Sequence, residues 1–172
     1  GAVWRRDTLK KYRDFVTDGS DFPLTEFRSR HSAATEAVGY GKVAMGFHML
    51  RRQMGDAAFT QALQRFYREY LGTKASFADV RASIEASSGL ELDAFFRQWV
   101  EWTGAPNLEL GQVRLTPQGA GYRLRGSVVQ RQSGQPYALD VPLYVTTAQG
   151  LEAFTVSLSA AVTQFDIQVA AE

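Results

Sequence analysis

The residue of this chain best placed to do chemistry is a tyrosine set between two glycines, in the segment Gly39-Tyr40-Gly41-Lys42. Glycines allow the backbone to turn sharply, and they leave the large phenol ring without shielding neighbours. The pattern is consistent with two positions for Tyr40. Its ring either projects into a cleft, or it caps the core while the glycines merely start the helix that follows.

Few residues of the chain are of the types that bind metal ions through nitrogen or sulfur. The chain has two histidines, His31 and His48, and no cysteine, and neither histidine belongs to an H-E-x-x-H motif. We expect His48, next to Phe47, to be partly buried and His31 to be solvated. The nearest carboxylate pair, Glu91 and Asp93, is typical of the charged start of a helix. The sequence predicts no metal site and no acid–base couple in this chain.

Composition and charge exclude several further classes of protein. The 172 residues are 45% hydrophobic and 22% charged, which is typical of a globular chain. The formal net charge is +1, so no global field favours nucleic acid, and no apolar run is long enough to span a membrane. The chain starts abruptly inside an amphipathic helix without a signal peptide. We therefore expect a segment of a longer protein, whose compartment stays open.

The first hundred residues show helical periodicity. Val43, Phe47, Leu50 and Met54 form an apolar stripe, from which Lys42 and the arginines that follow point away. Other predicted helices cover about 3–16, which a turn at Asp18-Gly19-Ser20-Asp21 ends, then 56–70, 76–88 and 92–100. We expect Asp56 and Ser76 to cap the helices that they precede, and 25–36 to be mainly loop.

From Asn107 the pattern alternates with a period of two, which is typical of half-buried strands. Five strands are predicted, the first over Leu108 to Leu115, and Pro142 indicates that the third lies at an edge. The predicted fold class is α+β: an N-terminal antiparallel α-helical segment, followed by a small antiparallel β-sandwich. The predicted domains are 1–105 and 106–172.

A family resemblance rests on several motifs in order along the chain. They are Val-Gly-Tyr-Gly-Lys-Val-Ala-Met-Gly-Phe-His-Met-Leu-Arg from Val38, Met-Gly-Asp-Ala-Ala-Phe from Met54, Phe-Tyr-Arg-Glu-Tyr from Phe66, Ser-Phe-Ala-Asp-Val from Ser76, Ser-Ser-Gly-Leu-Glu-Leu from Ser87, Phe-Phe-Arg-Gln-Trp from Phe95, and Gly-Ala-Pro from Gly104. Together they resemble the C-terminal helices of the aminopeptidase N family of zinc metallopeptidases (M-one peptidases, gluzincins), from about Trp4 to Pro106. The strands resemble the family's accessory β-sandwich in pattern and position only.

The resemblance implies a C-terminal fragment of a zinc-dependent aminopeptidase, with residues 1–105 belonging to its catalytic domain. Tyr40 matches the family's catalytic tyrosine, which donates a hydrogen bond to the oxyanion. In the family, zinc is bound by the two histidines of H-E-x-x-H and a later glutamate, and this motif would lie upstream of Gly1. Zinc is therefore expected only in the intact parent, together with the peptide substrate, and the chain's partner is that upstream catalytic part.

Two alternatives stay open. One is a non-catalytic protein-interaction module in which Tyr40 is structural, and the other is a degenerate homologue whose parent lost the zinc motif. The end at Gln168 to Glu172 also falls short of the family's usual final strand, which predicts a truncated sandwich. In each case the chain alone is expected to be inactive.

Overall fold

The computed structural model describes residues 1–17 and 19–170 and folds as two compact units, Gly1–Gly104 and Ala105–Glu172. Asp18, in the predicted turn after the first helix, and Ala171 and Glu172, in the predicted truncated end, lie outside the described residues. The first unit is helical and the second contains antiparallel sheets. The mixed α+β class is therefore confirmed.

The first unit contains α-helices, a 3₁₀ turn and two π-helical segments. In chain order these are α1 (Ala2–Phe15), the 3₁₀ turn Leu24–Glu26, α2 (Ala33–Glu36), a π segment (Ala37–Lys42), α3 (Val43–Met54), α4 (Asp56–Tyr70), α5 (Phe77–Ser88), α6 (Asp93–Phe96) and a second π segment (Arg97–Glu101). No helix in the described part of the chain has the length and apolar character that crossing a bilayer requires.

The ends of α5 are as the sequence predicts. The Ser76 hydroxyl accepts a hydrogen bond from the backbone N–H of Asp79, and the Asp79 carboxylate accepts one from the N–H of Ser76. At the other end Gly89 adopts a left-handed conformation with φ of 70°.

The prediction that Asp56 caps α4 is wrong. Gly55 precedes α4, and Asp56 lies in the first turn, where its carboxylate accepts two hydrogen bonds from Arg51 at 2.8 and 2.9 Å.

The helix that carries Tyr40 and the apolar stripe, here named the central helix, begins earlier in the chain than predicted. Ser32 and Thr35 form a capping box, so the helix begins at Ala33, inside the segment predicted as loop. From there α2, the π segment Ala37–Lys42 and α3 follow one another without a break. The glycines around Tyr40 therefore lie inside a helix, where the backbone winds more widely, and not at a sharp turn.

The reason for these glycines is close packing. Neither has a positive φ. A β-carbon on Gly39 would lie 2.2 Å from a ring carbon of Phe27, and one on Gly41 would lie 3.1 Å from the methyl group of Thr8 in α1. Phe27 can therefore approach the π segment only because Gly39 lacks a side chain, whereas a methyl group at position 41 would require Thr8 to shift by a few tenths of an ångström.

One hydrophobic core holds the first unit together. Its buried members come from most elements of the unit, and two of them, Val38 and Leu50, lie in the central helix. The buried members are Leu24, Val38, Leu50, Ala62, Ile84, Leu92, Phe96 and Val100. The predicted stripe residues Val43, Phe47 and Met54 pack against this cluster, and Leu50 is buried within it. The apolar stripe is thus confirmed as the core-facing side of α3.

Up to residue 170, the second unit contains six strands, one more than predicted: β1 (Leu108–Leu110), β2 (Arg114–Gln118), β3 (Gly121–Gln130), β4 (Leu139–Thr147), β5 (Gly150–Leu158) and β6 (Val162–Ala170). All pairings are antiparallel. β3 pairs with β1, β2 and β6 in one sheet, and β4 pairs with β5 in the other. The two sheets contribute to one core, whose buried members are Leu124, Val128, Val156, Leu158, Phe165 and Val169.

The predicted first strand is interrupted. Leu110 pairs with Val128 and Arg114 pairs with Arg125, so three residues on the edge strand oppose two on β3. This extra residue is a β-bulge at 111–113, which divides the predicted strand into β1 and β2. Pro142 is at an edge as predicted, because β4 pairs only with β5 among the described strands.

On its polar face, the first sheet carries a cluster of charges around Asp166. Arg123 forms a two-pronged ion pair with Asp166, at 2.7 and 2.6 Å, and Arg125 adds a third hydrogen bond at 3.0 Å. Hydrogen bonds from these guanidiniums lower the pKa of the Asp166 carboxyl to about 2. The carboxylate thus links neighbouring positions on β3 and β6.

We expect Gly39→Ala to destabilise the first unit. The added methyl overlaps the Phe27 ring, and such overpacking typically costs about 1–3 kcal/mol. Urea unfolding of the 172-residue chain, followed by helical circular dichroism, measures this change.

Gly46→Ala is the matched control. Gly46 lies within α3, and a β-carbon there meets no atom within 4 Å. This substitution should be neutral or stabilise by up to about 1 kcal/mol, because alanine favours helix. Equal losses in both variants would contradict the packing role of Gly39.

Asp166 should make stability depend on pH at acid values. Its pKa is lowered from 3.8 to about 2 on folding, so its contribution is complete above about pH 4 and is lost as the pH falls through 2. A carboxyl-carbon NMR titration should show this low pKa, and Arg123→Gln should raise it. Arg131→Gln, which removes an arginine paired with Glu109 instead, should leave it unchanged.

Candidate functional site

Tyr40 lies in the middle of the π segment of the central helix, with its side chain facing outward. It is 58% exposed, although Val38 and Gly39 beside it are buried. Its hydroxyl has no hydrogen-bond partner among residues 1–17 and 19–170. Single-turn π segments inside α-helices occur frequently at functional sites. The described structure thus presents an accessible phenol whose donor is free to bind another molecule.

Aromatic packing fixes the other side of the Tyr40 ring. Phe27 meets this ring edge-on, with centroids 5.5 Å apart and planes at 81°. Phe22 stacks on Phe27 in turn at 6.4 Å. Edge-to-face pairs at such distances are favourable beyond their buried area. The ring is therefore oriented by contacts that leave its hydroxyl exposed.

Two residues beyond Tyr40, the structure buries a charge. Lys42 is only 5% exposed, and its ammonium donates a 2.6 Å hydrogen bond to the backbone carbonyl of Trp102. Burial lowers the pKa of Lys42, and the negative charge of Asp21 opposes this shift. The sequence predicts only that Lys42 points away from the apolar stripe, and its burial was not expected. Its side chain connects the π segment to the end of the helical unit.

Asp21 joins three further parts of this unit. Its carboxylate accepts hydrogen bonds from the Tyr12 hydroxyl of α1 at 2.8 Å, from the N–H of Phe22 at 3.0 Å, and from the N–H of Gly104. The same carboxylate provides the negative charge that partly compensates Lys42. Lys42, two residues after Tyr40, and Asp21 thus tie the π segment to α1 and to the end of the unit.

Among the described residues, neither His31 nor His48 belongs to the hydrogen-bond network of Lys42 and Asp21. His48 is partly buried in α3 as predicted. Its pKa is lowered by burial and by the positive charges of Arg5, Arg52 and Arg51, in that order. His31 is exposed as predicted, and its ring nitrogen lies 2.7 Å from the Ser29 hydroxyl. The described residues contain no group of three or more metal-ligating side chains.

The predicted carboxylate pair also shows no catalytic arrangement. Asp93 begins α6 as expected and forms ion pairs with Arg81 and Arg97, while Glu91 is exposed. Lys42, Asp21 and Phe27 were not predicted as part of the site. The burial of Lys42 was predictable in part from its spacing. It lies four residues from Val38 and four from Gly46, and both of these residues are buried. Nothing in the local sequence indicates that Asp21 or Phe27 would meet this helix.

Comparisons with known proteins give two partial similarities. No protein-family model matches the chain. Aminopeptidase N of Lactococcus lactis subsp. lactis is 30% identical over 70 residues, which are 41% of this chain and 8% of that protein. The crystal structure of Legionella pneumophila aminopeptidase A in complex with aspartic acid superposes with a TM-score of 0.59 at 18% identity, over 95% of this chain and 20% of that one.

The chain thus spans only a small part of the proteins that it matches. At 18% identity the structural match concerns the fold alone, and the sequence match covers less than half of the chain. Within these limits, the chain is similar to an aminopeptidase in sequence over 70 residues and to an aminopeptidase in fold over most of its described length.

Proposed function

We propose that this chain is the C-terminal part of a zinc-dependent aminopeptidase of the gluzincin type, in which Tyr40 donates a hydrogen bond to the oxyanion of the transition state. Residues 1–105 would complete the catalytic domain, and residues 106–172 would form an accessory β-sandwich. The observation that carries the proposal is the free, exposed hydroxyl of Tyr40 on an otherwise packed π segment. The two similarities to aminopeptidases support it.

The role of Tyr40 follows from what a positioned phenol does. When a peptide carbonyl is attacked, negative charge develops on its oxygen, and a donor already aimed at that position stabilises the charge without reorganising. Phe27 and the Gly39 contact would hold the ring in place, so little motion is needed at the moment of reaction. A structural tyrosine would instead be expected to bury or pair its hydroxyl.

Zinc does not fit the residues of this chain. Its structural and catalytic sites need three or four nitrogen, sulfur or oxygen ligands, and the described residues provide no such cluster. The two histidines also lie in different environments, one in the exposed segment before α2 and one in α3. In the proposed protein the metal and its ligands would therefore belong to the upstream part, and the peptide substrate would bind between that part and Tyr40.

Exposed apolar side chains support such an upstream partner. Helix α1 buries none of its residues and leaves Val3, Trp4, Leu9 and Phe15 exposed, and Tyr67 and Leu71 are exposed at the end of α4. Trp4 and Phe15 are eleven residues apart, about three helical turns, so they lie on the same side of α1. In the proposed protein, the upstream part would cover this side of α1.

Tyr40→Phe tests the proposal in the longer protein. If the hydroxyl binds only the transition state, turnover should fall on the order of 10²–10³-fold, or about 3–4 kcal/mol, while substrate affinity and zinc content hardly change. Steady-state kinetics and metal analysis measure these quantities. The stability of the variant should stay close to that of the wild type, because the ring and its contact with Phe27 remain.

Tyr144→Phe is the matched control, since Tyr144 is similarly exposed, on β4 of the second unit. Turnover in this variant should be unchanged. If Tyr40→Phe left turnover unchanged but lowered the melting temperature, Tyr40 would be a structural residue, as the interaction-module alternative requires. A parent with no peptidase activity and no H-E-x-x-H motif would favour the degenerate homologue.

The isolated chain should bind no zinc at a specific site and should not cleave N-terminal residues from peptides, because too few of its side chains can bind the metal. Elemental analysis after equilibration with zinc and dialysis measures the metal content. About one tightly held zinc ion per chain would contradict the assignment of the metal site to the upstream part.

A further inference from the structure

The second unit has a cavity of about 370 Å³ on the polar face of its first sheet, beside the bulge that interrupts the edge strand. Its lining is polar and charged, and consists of Gln112, Arg114, Arg125, Gly126, Ser127 and Gln164. The bulge residue Gln112 forms one wall. Bulges are often found where a strand redirects side chains at a binding site.

The arrangement of arginines in this cavity is unusual for a purely structural sheet face. Arg114 on β2 lies directly opposite Arg125 on β3, and like charges in such positions repel. Asp166, on the other side of β3, pairs with Arg125 and Arg123. Arg114 has no carboxylate partner among the described residues. Arg123 and Arg125 thus share one carboxylate, while Arg114 has none among the described residues, in a chain whose formal net charge is only +1.

We propose that this cavity binds a carboxylate of an acidic peptide segment between Arg114 and Arg125. A guanidinium offers a planar pair of donors that matches a carboxylate, and a second carboxylate here would pair with Arg114 as Asp166 pairs with Arg123. An incoming carboxylate would also relieve the repulsion across β2 and β3.

The other lining groups favour a peptide over a simple anion. The amides of Gln112 and Gln164 and the hydroxyl of Ser127 each donate and accept hydrogen bonds, as the N–H and C=O groups of a peptide backbone require. An anion without protons, such as sulfate, would use only the donors. Arg114, Arg125, Gln112 and Gln164 are exposed and the cavity is open, so a side chain from another polypeptide can enter it.

The inference concerns the second unit alone and does not depend on peptidase activity. The test uses the 172-residue chain at low ionic strength and a blocked peptide with three consecutive glutamates. NMR signals of the arginine Nε–H groups should shift for Arg114 and Arg125 on titration. The same peptide with glutamines in place of the glutamates should cause no shift.

Arg114→Gln should weaken binding about tenfold or more, as expected for loss of a charged hydrogen-bonding pair. Arg131→Gln is the matched control. It removes the same charge from an exposed arginine that pairs with Glu109 and lies outside the cavity lining, and it should leave the affinity unchanged. The Asp166 carboxyl signal reports whether each variant keeps the fold of the sheet.

Three results would overturn the proposal. The first is no binding of the glutamate peptide, and the second is an equal loss of affinity in both arginine variants, which would indicate attraction by charge alone. The third is binding of inorganic phosphate with the same shifts and affinity, which would indicate a general anion site.

Discussion

The buried ammonium of Lys42 is the constraint on which the helical unit depends. A charge removed from water is costly unless it is paired, and here the carbonyl of Trp102 and the negative charge of Asp21 compensate it. These partners are distant in sequence, since Trp102 comes sixty residues later. Removing either of these groups would leave the buried charge less well compensated. The central helix, the loop before it and the end of the unit must therefore be in place together.

The same constraint determines where Tyr40 is presented. Lys42 turns inward at the end of a π segment, while Tyr40, two residues earlier, faces outward. Phe27 packs where Gly39 has no side chain, and it holds the phenol ring from the side. The chemistry proposed for Tyr40 needs this combination of a fixed ring and a free hydroxyl. Both properties come from packing around the π segment and not from the tyrosine itself.

The second unit places its charges by strand register. The extra residue at 111–113 separates β1 from β2, and pairing with β3 then brings Arg114 opposite Arg125. Asp166 compensates only part of this positive charge, through Arg123 and Arg125. The buried face of the same strands carries Leu124 and Val128 in the core. The first sheet thus has an ordinary apolar core on one face. On its polar face, Arg114 has no carboxylate partner among the described residues.

The sequence by itself determined the α+β class, the capping box at Ser76, the edge position of Pro142 and the alternation of buried residues along β3, because these depend on neighbours within a few positions. It also indicated Tyr40 as the residue of interest. Only the tertiary structure decided that the helix begins at Ala33, that Lys42 is buried and that the glycines make room for Phe27 and Thr8. The division of the first strand also came from the structure. The physical reason is that burial, close approach and register depend on partners distant in the chain, which local periodicity does not encode.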